Sequence, residues 1–144
     1  MTFSSKDRYA IIAMLELAVQ GGARPIPLVE LSQKYNISVS YLEQLFAQLR
    51  RAGLVQSRRG PSGGYLLGRT PEEISIYDVV RAIRAGDPVR DTRFADAADS
   101  AGLQLWEVLA GRIQGLLEET RLADLLHAGG GAYADAGGSG LKAG

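Results

Sequence analysis

Near the start of the chain, apolar residues return with a helical period. Ala10, Met14, Leu17 and Ala18 share one face, with Ile11 and Leu15 beside it. This pattern predicts an amphipathic helix over 4–21,. Ser4 and Asp7 have the capping-box spacing, in which the hydroxyl accepts an orphan amide and the carboxylate reaches back,. Gly21-Gly22 ends the run, and a loop with two prolines covers 23–27. Leu28, Leu31 and Tyr35 repeat the period over 28–35. Asn36-Ile37-Ser38 then makes a tight turn into a third helix over 39–52, striped by Leu42, Leu45, Phe46 and Leu49. Ser38 or Ser40 caps that helix; Ser40 with Glu43 again has the capping-box spacing,. Gly53 stands where a C′ glycine belongs,.

The period then changes. Two short β-prone runs, 54–58 and 65–68, flank Arg59-Gly60-Pro61-Ser62-Gly63-Gly64. Its glycines and proline supply the backbone angles of a hairpin loop. Ser75 with Asp78 caps a helix over 75–85, with Ile76, Val79, Val80 and Ile83 inward. A polar, acidic stretch of small residues over 86–101 reads as a loop. A long helix over 102–120 follows, carrying Leu105, Trp106, Leu109, Ile113, Leu116 and Leu117, with Leu103 and Val108 widening the stripe. A last turn or short helix spans 122–126, and the Gly- and Ala-rich stretch 128–144 is expected to be disordered,. The units are therefore 1–85, a loop at 86–101, a helical part at 102–127 and a tail.

Helix, short helix, tight turn, helix and Gly-rich hairpin, in that order, describe a winged helix-turn-helix in a mainly α fold with a two-stranded β wing. The second helix of such a pair turns one face to its core and the other to the DNA major groove. Opposite the apolar stripe stand Ser40, Glu43, Gln44, Ala47, Gln48 and Arg51. Gln pairs with adenine, Glu accepts from cytosine, and Ser bonds base edges or phosphate. Ser38, Tyr41, Arg58, Arg59, Gly60 and Pro61 complete the expected DNA-binding set. Each feature alone has a plainer reading, as a solvated helix face, an ordinary turn or surface charge; their order favours DNA. The hairpin is no nucleotide loop, because it lacks the Lys-Ser/Thr ending and leads into no helix.

Charge adds to this only when split along the chain. The 144 residues are neutral overall, but 1–70 carry nine basic and four acidic side chains, and 71–144 carry seven and twelve. The basic half fits a polyanion partner, and it fits chance placement on solvated faces equally well. There is no cysteine, which removes disulfides, thiolate metal sites and cysteine nucleophiles,. The single histidine, His127, makes no zinc site alone. No nucleophile, metal set or acid/base pair stands out, so an enzyme is not expected. No apolar run is long enough for a membrane span, and no signal peptide is visible. A cytoplasmic protein without a membrane partner is the expectation. The stripe on 102–120 is broader than one small domain needs,. Two such helices pairing across a two-fold axis would form a homodimer matched to a palindromic operator.

The residues also carry a family resemblance. Ser5-Lys6 with Arg8-Tyr9-Ala10, Ile37-Ser38 with Ser40-Tyr41-Leu42-Glu43-Gln44-Leu45-Phe46, and Arg59-Gly60-Pro61 with Gly63-Gly64-Tyr65-Leu66-Leu67 resemble the IscR group of bacterial repressors. The resemblance implies control of iron–sulfur cluster assembly genes and a sensor loop at 86–101. Relatives with cysteines there hold a [2Fe–2S] cluster by three cysteines and a further ligand. Here Ala101 stands where the family often has cysteine, and Ala95 and Ala98 are the candidate positions of two more. Asp96 and Asp99 are hard oxygen donors, poor substitutes for thiolates,. The chain is thus expected to carry no cofactor, either as a Cys-to-Ala variant or as a natural member that senses a metabolite or a protein partner. The resemblance further implies that the glutamate at Glu43 holds the cluster-free form off one of two operator classes. A protein-interaction module that has lost DNA binding is the reading from another class.

Overall fold

The computed structural model describes residues 3–85 and 101–129. In chain order these form α1 (Ser5–Val19), α2 (Leu28–Tyr35), α3 (Val39–Arg51), β1 (Val55–Arg58), β2 (Gly64–Leu67), α4 (Ile76–Arg84), α5 (Ala101–Glu119) and α6 (Leu122–Ala128). The mainly helical winged fold is therefore the one expected. The sensor-loop stretch 86–100, with Ala95 and Ala98, and the tail 130–144 lie outside the described residues.

Local chemistry explains the boundaries. Ser4 and Asp7 close the capping box of α1, and Ser75 and Asp78 close that of α4,. Between α2 and α3, Asn36 turns the chain with φ 54°, in the left-handed region where asparagine is tolerated,. The cap of α3 is Ser38, whose Oγ accepts the Tyr41 N–H at 3.1 Å. The expected Ser40–Glu43 capping box does not form: Ser40 lies inside the first turn, and both side chains are exposed.

One core joins the helices. Met14 and Leu17 of α1 meet Leu42, Leu45, Phe46 and Leu49 of α3 and Val79, Val80 and Ile83 of α4. Leu117 and Leu122 from the C-terminal helices belong to the same cluster. The turn between α5 and α6 is sewn to the segment before α4: Ile76 N–H donates to Thr120 C=O and Leu122 N–H to Ile74 C=O, both at 2.9 Å. The α6 helix runs to Ala128, past the expected start of the disordered tail, and Gly129 caps it.

Strands β1 and β2 pair antiparallel, with Val55 opposite Leu67 and Arg58 opposite Gly64. A further backbone pair ties this wing to the body, since Ile26 and Tyr65 exchange N–H···O=C bonds of 2.9 Å in both directions. Gly64 makes that approach possible. A Cβ there would stand 2.4 Å from the Ile26 carbonyl carbon.

Candidate nucleic-acid interface

The apolar stripe of α3 is buried, so its opposite face is presented outward. Ser40, Glu43, Gln44 and Arg51 are exposed, and Gln48 is half-buried with an Oε1 that has no donor among the described residues. The wing stands beside this face because the Phe46 and Tyr65 rings pack at 4.7 Å. Arg58, Arg59, Gly60 and Pro61 are all exposed on the hairpin. Gly60 has φ 105°, a backbone conformation that L side chains rarely adopt,.

Two clefts flank the outward face. One, of about 500 Å³, lies between α3 and the wing, with Val39 and Glu43 on one wall and Ser57, Arg58 and Gly60 on the other. The second, of about 520 Å³, runs along Ser40, Glu43, Gln44, Gln48 and Arg51 and takes in Lys6 of α1. Glu43 lines both, so its carboxylate stands on the ridge between them.

Charge is left uncompensated here. Among the described residues, ion pairs join Arg24 to Glu30, Lys34 to Glu16 and Arg84 to Asp7. None involves Lys6, Glu43, Arg51, Arg58 or Arg59. Tyr41 is half-buried and meets Tyr9 edge-on, with ring centroids 6.1 Å apart. Burial, then the neighbouring Tyr9 and Asp7, push its hydroxyl above the ordinary tyrosine value, so it remains a neutral donor. Ser38 spends its oxygen on the helix cap.

These features meet in a family of known regulators. The family model described as "Rrf2: Iron-dependent Transcriptional regulator" matches residues 3–128. The chain belongs to the Rrf2 family. It is 41% identical over 133 residues to the HTH-type transcriptional regulator IscR of Escherichia coli (strain K12 / DH10B), covering 88% of this chain and 81% of that one. Among solved structures, T. potens IscR superposes with a TM-score of 0.74 at 34% identity, covering 89% of this chain and 88% of that chain. CymR (YrzC), the global cysteine regulator of B. subtilis, superposes with a TM-score of 0.73 at 36% identity, covering 89% and 98%. This Rrf2 protein is thus a helix-turn-helix transcriptional regulator related to IscR and CymR, and its relatives are regulators rather than enzymes.

The stripe on α5 divides in two. Leu105 (71% exposed), Leu116 (62%), Trp106 and Leu109 stand at the surface. Ile113 is half-buried against the core, and Leu117 is 8% exposed within it. Leu117 therefore does not lie on the outward stripe. The lower end of α5 must pack on its own fold because the α5–α6 turn is hydrogen-bonded to the segment before α4. Ala101 is the first residue of α5 and is exposed. Among the described residues, no three His, Cys, Asp or Glu side chains form a group that could hold a metal ion. No described helix is long and apolar enough to cross a membrane.

The sequence pattern did not point to two buried carboxylates. Glu16, on the inner side of α1, accepts from Lys34 Nζ at 2.6 Å and from the Tyr35 hydroxyl. Asp7 is 1% exposed and paired with Arg84. Asp7 was legible as a capping residue, but its partner lies 77 positions away.

Proposed function

We propose that this Rrf2 protein is a cytoplasmic homodimer that reads a palindromic operator in double-stranded DNA and controls iron–sulfur cluster biogenesis genes without carrying a cluster. The observation that carries the DNA reading is the position of Glu43. It caps nothing, pairs with no cation among the described residues and stands on the ridge between the wing and the outward face of α3. A carboxylate there is repelled by phosphate and is favourable only where it accepts from a cytosine amino group. Ser40, Gln44, Gln48 and Arg51 read the same groove, Arg58 and Arg59 track the backbone or a narrow minor groove, and Gly60 and Pro61 shape the tip.

The donor set does not fit a [2Fe–2S] cluster. The chain has no thiol, and carboxylates are hard ligands,. Regulation without a cluster follows, and Glu43 then confines the protein to one operator class. The likeness to CymR supports a second reading, in which the signal is a metabolite or a protein partner.

Titrating wild type, Glu43→Ala and Arg59→Ala against a panel of palindromic operators tests the proposal. Glu43→Ala should gain affinity selectively for the excluded sites. Arg59→Ala should weaken specific binding by roughly 1–3 kcal/mol. A uniform drop on removing Glu43 would end its role as a filter. An absence of specific binding by wild type would leave the interaction-module reading.

A further inference from the structure

One wall of the groove beside α3 comes from another helix. Lys6, in the first turn of α1, lines the 520 Å³ cleft together with Ser40, Gln44 and Arg51. The residue is half-buried, so its aliphatic stem lies along the protein, and its ammonium makes no ion pair among the described residues. A lysine in this position is a compact cation with three donors and no carboxylate to answer it.

Its neighbour holds it there. Asp7 accepts Arg84 Nη2 at 2.7 Å and Arg84 Nε at 3.3 Å, and also the Ser4 N–H at 2.9 Å. A two-pronged guanidinium–carboxylate contact fixes orientation as well as distance. Arg84 is the last residue of α4, so the first turn of α1 is anchored to a separate element of the core. Successive residues on a helix are about 100° apart. With Asp7 drawn inward, Lys6 is set towards the side that faces α3. The edge-on Tyr9–Tyr41 contact packs the next turn of α1 on α3 itself.

We infer that Lys6 is a phosphate-contacting residue of the operator interface and that the Asp7–Arg84 pair positions it. The first turn of α1 is then a third DNA-facing element beside α3 and the wing. The inference rests on the DNA-binding reading above. A phosphate contact carries no sequence information. Lys6 therefore contributes to affinity at every duplex, whereas Glu43 discriminates among them.

The test is a salt series of binding isotherms for the full chain on a palindromic operator and a scrambled duplex. Lys6→Ala should lower the slope of log affinity against log salt by about 0.9, the value of one lost phosphate contact. It should weaken both duplexes by the same factor, and Lys6→Arg should keep the slope. Arg84→Gln should lose the same slope with Lys6 still present, and Arg84→Lys should retain it. A purely structural pair would lower the melting temperature and leave the slope alone. Asp7→Asn, close in shape to the native side chain, takes the place of Arg84→Gln if that variant unfolds. An unchanged slope in Lys6→Ala overturns the contact. A slope lost in Lys6→Ala but kept in Arg84→Gln and Asp7→Asn overturns the positioning. Wild type that binds neither duplex would sink the regulator reading itself, a result distinct from both.

Discussion

Asp7 shows how one residue serves two levels of structure. Its carboxylate closes the α1 capping box and receives Arg84 from the far side of the core. Burial pushes its carboxyl up, but the hydrogen bonds from Arg84 and Ser4 and the Arg84 charge outweigh that, and the group lies below the ordinary aspartate value of 3.8. A depressed native value means that the stabilisation is fully present above the unfolded-state value and is lost as pH falls through the native one. Wild type should therefore lose melting temperature on acidification below about pH 4, and Asp7→Asn should flatten that limb. Thermal melts across the acid range check it; parallel curves for the two proteins would mean that other carboxylates carry the acid limb. Glu16 is a second buried carboxylate in α1, tied by Lys34 and Tyr35 to the last turn of α2. Neither partner was legible, because the helical period of α1 shows which side faces inward and not which cation arrives there.

Among the elements, the wing depends on a close approach more than on its own two strands. Isolated two-stranded hairpins are marginal in water. This one is held by the Ile26–Tyr65 backbone pair and by the Phe46–Tyr65 ring contact. Gly64 admits the first of these, since a Cβ would meet Ile26 backbone at 2.4–2.5 Å. Gly64→Ala should cost roughly 1–3 kcal/mol, the range for overpacking, and should weaken DNA binding by displacing Arg58 and Arg59. Chemical denaturation and operator titration measure the two effects. An unchanged midpoint would show that the wing sits clear of Ile26. The sequence marked this glycine as a hairpin residue, but its close neighbour comes from the loop before α2, which no local pattern reveals. The helix caps were more legible: the boxes at Ser4 and Ser75 form as spaced. Ser40 with Glu43 has the same spacing, yet Ser38 caps the helix instead, so spacing alone did not choose between two serines.

For the whole molecule, the question is what covers α5. Leu105, Trp106, Val108, Leu109 and Leu116 expose large apolar groups on one helix. An apolar surface of that kind marks an interaction site, and a second copy of the chain is the occupant that a palindromic operator demands. Leu105→Glu with Leu109→Glu should yield monomers with weakened operator affinity and an unchanged fold, because both residues stand outside the protomer's core. Sedimentation velocity and circular dichroism separate the two outcomes. A variant that still sediments as a dimer would move the interface elsewhere. Ile113 and Leu117 are unsuitable for this test, since charges there would damage the protomer itself.

The sequence by itself determined the order of elements, their caps in two of three cases and the outward residues of α3. Each of these follows from a period or a spacing within a few turns of chain, where the physics is local. It also settled the absence of thiol ligands, which is a matter of composition. Tertiary structure alone decided which half of the α5 stripe is core and which is surface, because that depends on Thr120 and Leu122 bonding to a segment more than 40 positions earlier. It alone brought Arg84 to Asp7, Tyr65 to Ile26 and Lys6 to the edge of the α3 groove. Such contacts join residues whose separation along the chain carries no period, and only the packing of one helix on another specifies them.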